Sequence, residues 1–124
     1  MISEKGFILE NGTEMPFLGF GTYLVQEEKI ILDALDCGYR HIDTARRYEN
    51  EKMIGNALQQ CGIPRRELFL TSKVWKTDLG YDKTMARFAG AVSGFVPHSL
   101  APALPRRGLE AAGNGKLACV GAAL

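Results

Sequence analysis

The sequence contains two copies of one arrangement, a predicted helix that ends at Cys-Gly and is followed by a predicted strand. The two copies are "CGYRHID" at residues 37–43 and "CGIPRRELFLTSK" at residues 61–73. Apolar residues recur at helical spacing before each copy, and glycine is the preferred residue just past a helix end. The predicted buried faces consist of Ile30, Ile31, Ala34 and Leu35 in the first helix and Ile54, Ala57, Leu58 and Cys61 in the second. Strands that alternate with helices predict a parallel sheet with right-handed crossovers.

The segment before the first helix predicts antiparallel structure. Asn11-Gly12 lies between two apolar runs, which predicts a β-hairpin over residues 7–17 with a type I′ turn. A further strand should end near Gly21, the first helix should begin near Gln26, and another helix should begin within residues 79–84. The predicted fold class is therefore α/β with an N-terminal β-hairpin.

Two architectures bury a parallel sheet on both faces, the doubly wound sheet and the (β/α)8 barrel. The stretch "GFGTYL" has two glycines of the dinucleotide-binding fingerprint but places Leu24 where the third should stand. The predicted helix also begins too late to hold a pyrophosphate at its N-terminus. Both observations disfavour the doubly wound, Rossmann-type sheet.

Composition narrows the class of target. The 124 residues are 46% hydrophobic and 23% charged, which suits one modest domain, and the net charge of +1 favours neither nucleic acid nor an acidic membrane as partner. No apolar run approaches the roughly 18 residues of a membrane span, and the polar start predicts a cytoplasmic protein. The three cysteines match no metal-ligand spacing, so no metal site is predicted. A small molecule is the expected partner.

The composition changes near Met85 and divides the chain into residues 1–85 and 86–124. The second segment has one acidic residue, Glu110, against 13 in the first, and it contains ten alanines, six glycines and three prolines. It lacks the periodicity of the first segment. We expect it to be irregular, because it offers little large apolar surface to offset the entropy lost on ordering.

Three residues are candidates for chemistry. Asp43 and Lys73 end two predicted core strands, and both parallel architectures place their active sites at that end of the sheet. Tyr48 follows Asp43 by five residues and precedes Lys73 by 25. An ammonium group favours the phenolate, so Tyr48 beside Lys73 could transfer protons near neutral pH while Asp43 holds the lysine. Taken singly, a helix-capping Asp, a surface Tyr and a solvated Lys are the more common situations. Because Asp43, Tyr48 and Lys73 all lie at or just after matching strand ends, together they favour an active site.

The neighbouring residues have more ordinary interpretations. His41 lies inside a predicted strand and is expected to be packed or hydrogen-bonded. The run Arg46-Arg47 with Glu49 and Glu51 is expected to be a solvated loop and helix start, with Asn50 or Glu49 near the N-cap. Trp75 fits either the rim of an apolar pocket or the core.

The segments "LGFGTY", "GYRHIDTARRYENEKMIGNAL", "GIPRRELFLTSKVW" and "GYDKT" together resemble the N-terminal third of the aldo-keto reductases. The resemblance implies a partial (β/α)8 TIM barrel and an enzyme that reduces a small carbonyl substrate with NADPH or NADH. It assigns catalytic roles to Asp43, Tyr48 and Lys73, and it assigns cofactor contacts to Thr22, Tyr23 and Asp43. Tyr48 would protonate the carbonyl oxygen as hydride reaches the carbon.

The sequence departs from the family after residue 85. The family's catalytic His would fall near position 106, where this chain has Arg106, and His98 is a poor substitute. A deletion and an altered reading frame both fit residues 86–124, and a shortened or degraded copy is favoured. A barrel needs about 250 residues, so this chain would form an incomplete barrel whose exposed sheet edges favour self-association. Two functions stay open: an impaired reductase, and a non-catalytic fragment derived from one.

Overall fold

The computed structural model describes residues 6–10, 12–87 and 116–119, and they form a hairpin, a parallel sheet and helices. The hairpin strands β1 (Gly6–Ile8) and β2 (Glu14–Pro16) are antiparallel. The sheet has the order β3-β4-β5-β6, and all its neighbouring strands are parallel. Its strands are β3 (Gly19–Gly21), β4 (His41–Asp43), β5 (Phe69–Ser72) and β6 (Lys116–Cys119), and the helices α1 (Glu28–Asp36) and α2 (Glu51–Gln60) connect β3 to β4 and β4 to β5. Residues 81–87 are also helical.

The hairpin is confirmed, but its turn differs from the type I′ turn that was predicted. The amide of Leu9 donates to the carbonyl of Thr13, and the amide of Gly12 donates to the carbonyl of Leu9, both over 2.8 Å. Gly12 is therefore the fourth residue of the turn, and it has a φ of 78°. A longer loop that ends in a left-handed glycine also matches the twist of the two strands.

Both predicted helix ends are confirmed. Gly38 follows α1 with a φ of 99°, and Gly62 follows α2 with a φ of 70°. At the end of α1, Gly38 donates to the carbonyl of Leu35 and Tyr39 donates to the carbonyl of Ala34. This pair of bonds is the Schellman motif, which turns the chain back towards the sheet and positions β4.

The core lies between the sheet and its two helices. It consists of Ile31, Leu35, Ile42, Ile54, Ala57, Leu58, Leu68 and Leu70. Ile42 and Leu70 are paired in register across β4 and β5, and neither is exposed. The predicted faces are confirmed with one exception, because Ile30 is 39% exposed. Ile30 and Ile31 are consecutive and so differ by about 100° around the helix, and only Ile31 faces the sheet.

The sheet is the part of the predicted barrel that the structure shows. Within residues 6–10, 12–87 and 116–119 it has four strands, and closure into a barrel lies outside these ranges. The tail predicted to be irregular contains β6, which the sequence did not predict, and the tail's residues 88–115 and 120–124 lie outside the described residues. Across the described segments, no helix is both long and apolar enough to span a membrane.

His41 is packed and hydrogen-bonded, as expected. Its Nε2 atom lies 2.8 Å from Oγ1 of Thr71 on β5, and its ring packs edge-on against Phe69. Burial lowers the pKa of His41, with a smaller lowering effect from Lys73, while the Pro16 carbonyl and Asp43 act in the opposite direction. The folded chain therefore resists protonation of this ring.

We expect stability to fall as the pH decreases below about 6.5, because the unfolded chain then binds a proton at His41 that the folded chain does not. The loss is at most about 1.4 kcal/mol per pH unit and is absent above that range. Urea unfolding between pH 7.5 and 5.5 measures it. His41→Gln should flatten the dependence, whereas His98→Gln, which changes the chain's other histidine, should leave it in place. Equal slopes in all three proteins would contradict the assignment.

Candidate active site

Asp43 and Lys73 lie side by side at the carboxyl end of the sheet. Asp43 is the last residue of β4 and Lys73 directly follows β5, so the parallel pairing of these strands brings the two side chains together. Lys73 Nζ forms an ion pair with Asp43 Oδ1 and donates to the carbonyl of Thr44 over 2.9 Å. The side chains of Lys73 and Asp43 are 23% and 34% exposed, so a ligand can reach both. The predicted juxtaposition is confirmed.

Tyr48 faces this ion pair. It ends a single turn of 3-10 helix, Arg46–Tyr48, which follows β4. The ammonium of Lys73 lies 5.7 Å from the centroid of the Tyr48 ring, within the range of a cation–π contact. The three residues predicted to carry chemistry therefore meet at one place, and their catalytic roles stay a prediction.

The two residues predicted to contact a cofactor have different surroundings. Tyr23 is 67% exposed, and its ring lies 5.2 Å from that of Tyr48, centroid to centroid. Thr22 is fully buried, and both its amide and its hydroxyl donate to the carbonyl of Asp43 over 3.0 Å. Its side chain is therefore occupied within the protein, and it supports the segment that presents Tyr23.

Asn50 is a site residue whose role the sequence analysis missed. It is the N-cap of α2, as expected, but its side chain makes no capping bond. Its Nδ2 donates to the carbonyls of Thr22 and Val25 over 2.8 and 3.0 Å, and its Oδ1 accepts from Thr44 Oγ1 over 2.8 Å. The sequence carries no indication of this, because a helix-start Asn ordinarily bonds to its own helix.

The charged run that was expected to be solvated is mostly engaged with the protein. Arg46 forms a 2.6 Å ion pair with Asp78, which is only 6% exposed. Arg47 stacks on Trp75 with its guanidinium carbon 4.3 Å from the ring centroid. These contacts join the loop after β4, which contains Tyr48, to the loop after β5.

The exposed side chains at the carboxyl end of the sheet fit a nicotinamide cofactor. A nicotinamide ring bound there would contact the exposed Tyr23 side chain. The carboxylate of Asp43 and the ammonium of Lys73 could bind the carboxamide of the nicotinamide and the carbonyl oxygen of a substrate. Tyr23, Asp43 and Lys73 are the side chains that would contact it. The donor set therefore suits the group that the sequence resemblance implies.

The Aldo/keto reductase family model matches residues 18–93. The glyoxal reductase of Bacillus subtilis is 44% identical over an alignment of 84 residues, and the match covers 64% of this chain and 30% of that protein. The glycerol 2-dehydrogenase (NADP(+)) of Saccharomyces cerevisiae is 45% identical over an alignment of 78 residues, and the match covers 60% of this chain and 25% of that protein.

Solved structures give the same relationship. An aldo/keto reductase from Brucella melitensis matches with a TM-score of 0.70 and 35% identity, over 77% of this chain and 37% of that one. An aldo-keto reductase from a deep-sea metagenome library, MGS-M4, matches with a TM-score of 0.68 and 41% identity, over 73% and 34%. The chain spans about a third of the length of these proteins. Because the family model covers more than half of its residues, the chain belongs to the aldo/keto reductase family.

Proposed function

We propose that this chain carries the proton-transfer part of a site that reduces an aldehyde or ketone to an alcohol with NADPH or NADH. The observation that carries the proposal is the position of Lys73 Nζ, which is held by Asp43 and the Thr44 carbonyl and faces the ring of Tyr48. A phenol, an ammonium and a carboxylate meet at the carboxyl end of the sheet, where parallel architectures place their active sites.

In this proposal each side chain has one task. Tyr48 donates its phenolic proton to the oxygen of the substrate carbonyl as that carbon is reduced. Lys73 stabilises the phenolate that remains, since a positive charge near a phenol favours its ionised form. Asp43 and the Thr44 carbonyl fix the ammonium in place. The nicotinamide supplies the hydride when it is bound.

We propose NADPH before NADH because a related yeast enzyme is a glycerol 2-dehydrogenase (NADP(+)). The same proposal includes a small carbonyl compound as the substrate and the cytoplasm as the location. It also includes self-association of the chain through the outer strands of the sheet. Within the described residues, β3 and β6 are the outermost strands of the sheet. The open edges would favour association, because unpaired backbone groups on them can pair with another strand.

A second candidate is a non-catalytic fragment derived from a reductase. The observation that favours it is Arg106, which stands where the motif of the resembled family places a histidine. Under this alternative the Asp43-Lys73 pair would persist as a structural contact.

The test is aldehyde-dependent NADPH oxidation by the purified, folded chain at high protein concentration, with Tyr48→Phe measured in parallel. We expect a rate close to background in the isolated chain, because most of the acceleration in such reactions comes from holding the two reactants in register. Any rate above background should disappear in Tyr48→Phe. Rates above background that are equal in the two proteins would show that Tyr48 is not the proton donor, and NADPH fluorescence titration would show whether the chain binds cofactor.

A further inference from the structure

We infer that Asn50 is a positioning residue that fixes Tyr48 against Tyr23 and Lys73. The inference rests on the proposed function for its catalytic meaning, but its geometry stands alone. Asn50 is only 4% exposed, and its side-chain amide makes three hydrogen bonds to other segments. It lies two residues beyond Tyr48, so whatever holds Asn50 also holds the end of the Tyr48 turn.

The three bonds reach the two other segments of the site. Two go to the carbonyls of Thr22 and Val25, which flank the exposed turn that contains Tyr23. The third comes from the hydroxyl of Thr44, whose own carbonyl accepts the bond from Lys73 Nζ. A single amide thus joins the segment that presents Tyr23, the residue that holds Lys73 and the segment that ends in Tyr48.

The backbone beside Asn50 explains why such an anchor is needed. Glu49 has a φ of 55° and a ψ of 26°, the left-handed region that residues other than glycine adopt at a cost. Strained positions of this kind persist only where the surrounding contacts determine them. Asn50 supplies two donated bonds and one accepted bond, a combination that an amide side chain provides and a carboxylate does not.

A second hydrogen bond holds the residue that follows Asn50. Ser72 precedes Lys73 and is 5% exposed, and its hydroxyl donates to the carboxylate of Glu51 at the start of α2. Residues 50 and 51 therefore bond to β3's loop and to β5 respectively. The start of α2, directly after the Tyr48 turn, is therefore held by both the loop after β3 and β5.

The experiment compares the full 124-residue chain with Asn50→Ala, and with Asn56→Ala as the matched control on an exposed face of α2, where Asn56 donates to Glu28. Nuclear Overhauser contacts between the rings of Tyr23 and Tyr48 are the readout. We expect Asn50→Ala to lose these contacts while the chain stays folded, and Asn56→Ala to keep them. A residue that only stabilised the fold would leave the contacts unchanged in the folded molecules, and that result would overturn the inference.

Thr44→Val serves if Asn50→Ala does not fold, because it removes one bond and preserves the shape of a buried side chain. Weakened ring contacts in Thr44→Val support the inference, and contacts equal to those of the unmodified chain overturn it. Where Tyr48-dependent turnover is measurable, Asn50→Ala should lower it by about 10²-fold, as for a misplacement of about 1 Å. Absence of such turnover in the unmodified chain leaves the role of Asn50 to the ring contacts, which decide it without any measurement of activity.

Discussion

Replacing Ile31 by alanine should lower the free energy of unfolding by about 2–5 kcal/mol, enough to unfold a large fraction of so small a domain. Ile31 has no exposed surface and packs in the cluster between α1, α2 and the sheet. Its truncation removes apolar contacts and leaves a cavity that the surrounding helices can fill only in part. Urea unfolding followed by circular dichroism at 222 nm gives the free energy directly.

The preceding residue supplies a matched control. Ile30→Ala makes the same chemical change one position earlier in α1, at a side chain that is 39% exposed. Its cost should be below about 1 kcal/mol, because the removed methyl groups are partly in water already and alanine has the higher helix propensity. Similar costs at the two positions would show that the orientation of α1 is wrong.

These two residues also show where prediction from sequence stops. Periodicity placed the helices, and Gly38 and Gly62 placed their ends, because helix stops have a backbone requirement that glycine meets. Periodicity could not separate Ile30 from Ile31, since an apolar residue at the margin of a helical face is compatible with either environment. The difference depends on how α1 lies on the sheet, which is a tertiary contact.

The site divides in the same way. Asp43 and Lys73 could be placed together from sequence, because neighbouring parallel strands have their carboxyl ends at the same end of the sheet. The role of Asn50 could not be predicted, because two of its three partners are the backbone carbonyls of Thr22 and Val25, and every residue has a backbone carbonyl whatever its side chain. Arg46 was assigned to solvent for a related reason, since its partner Asp78 lies 32 residues away. Long-range polar contacts form only once the fold has brought their partners together, so they cannot be predicted from the sequence alone.

The largest effect on activity is expected where the rest of a related enzyme completes the site. The glyoxal reductase of Bacillus subtilis aligns with 64% of this chain, so the aligned segment can replace the matching 30% of that protein. Because the aligned parts are 44% identical, we expect the chimera to fold and to reduce glyoxal. Tyr48→Phe in the chimera should lower kcat by about 10²–10⁴-fold, the usual contribution of a positioned proton donor.

Two comparisons identify the cause of that loss. Tyr39→Phe is the matched control, because the Tyr39 ring packs edge-on against Phe20, away from the ion pair, and its hydroxyl has no part in the proposed reaction. Lys73→Met should lower kcat as Tyr48→Phe does, and the double variant should lose little more than either single one, because groups that act as a unit are not additive. Full activity in Tyr48→Phe would remove Tyr48 from the mechanism. Independent, multiplicative losses would instead separate Lys73 from Tyr48, and the contact between that ammonium and the ring would then be structural.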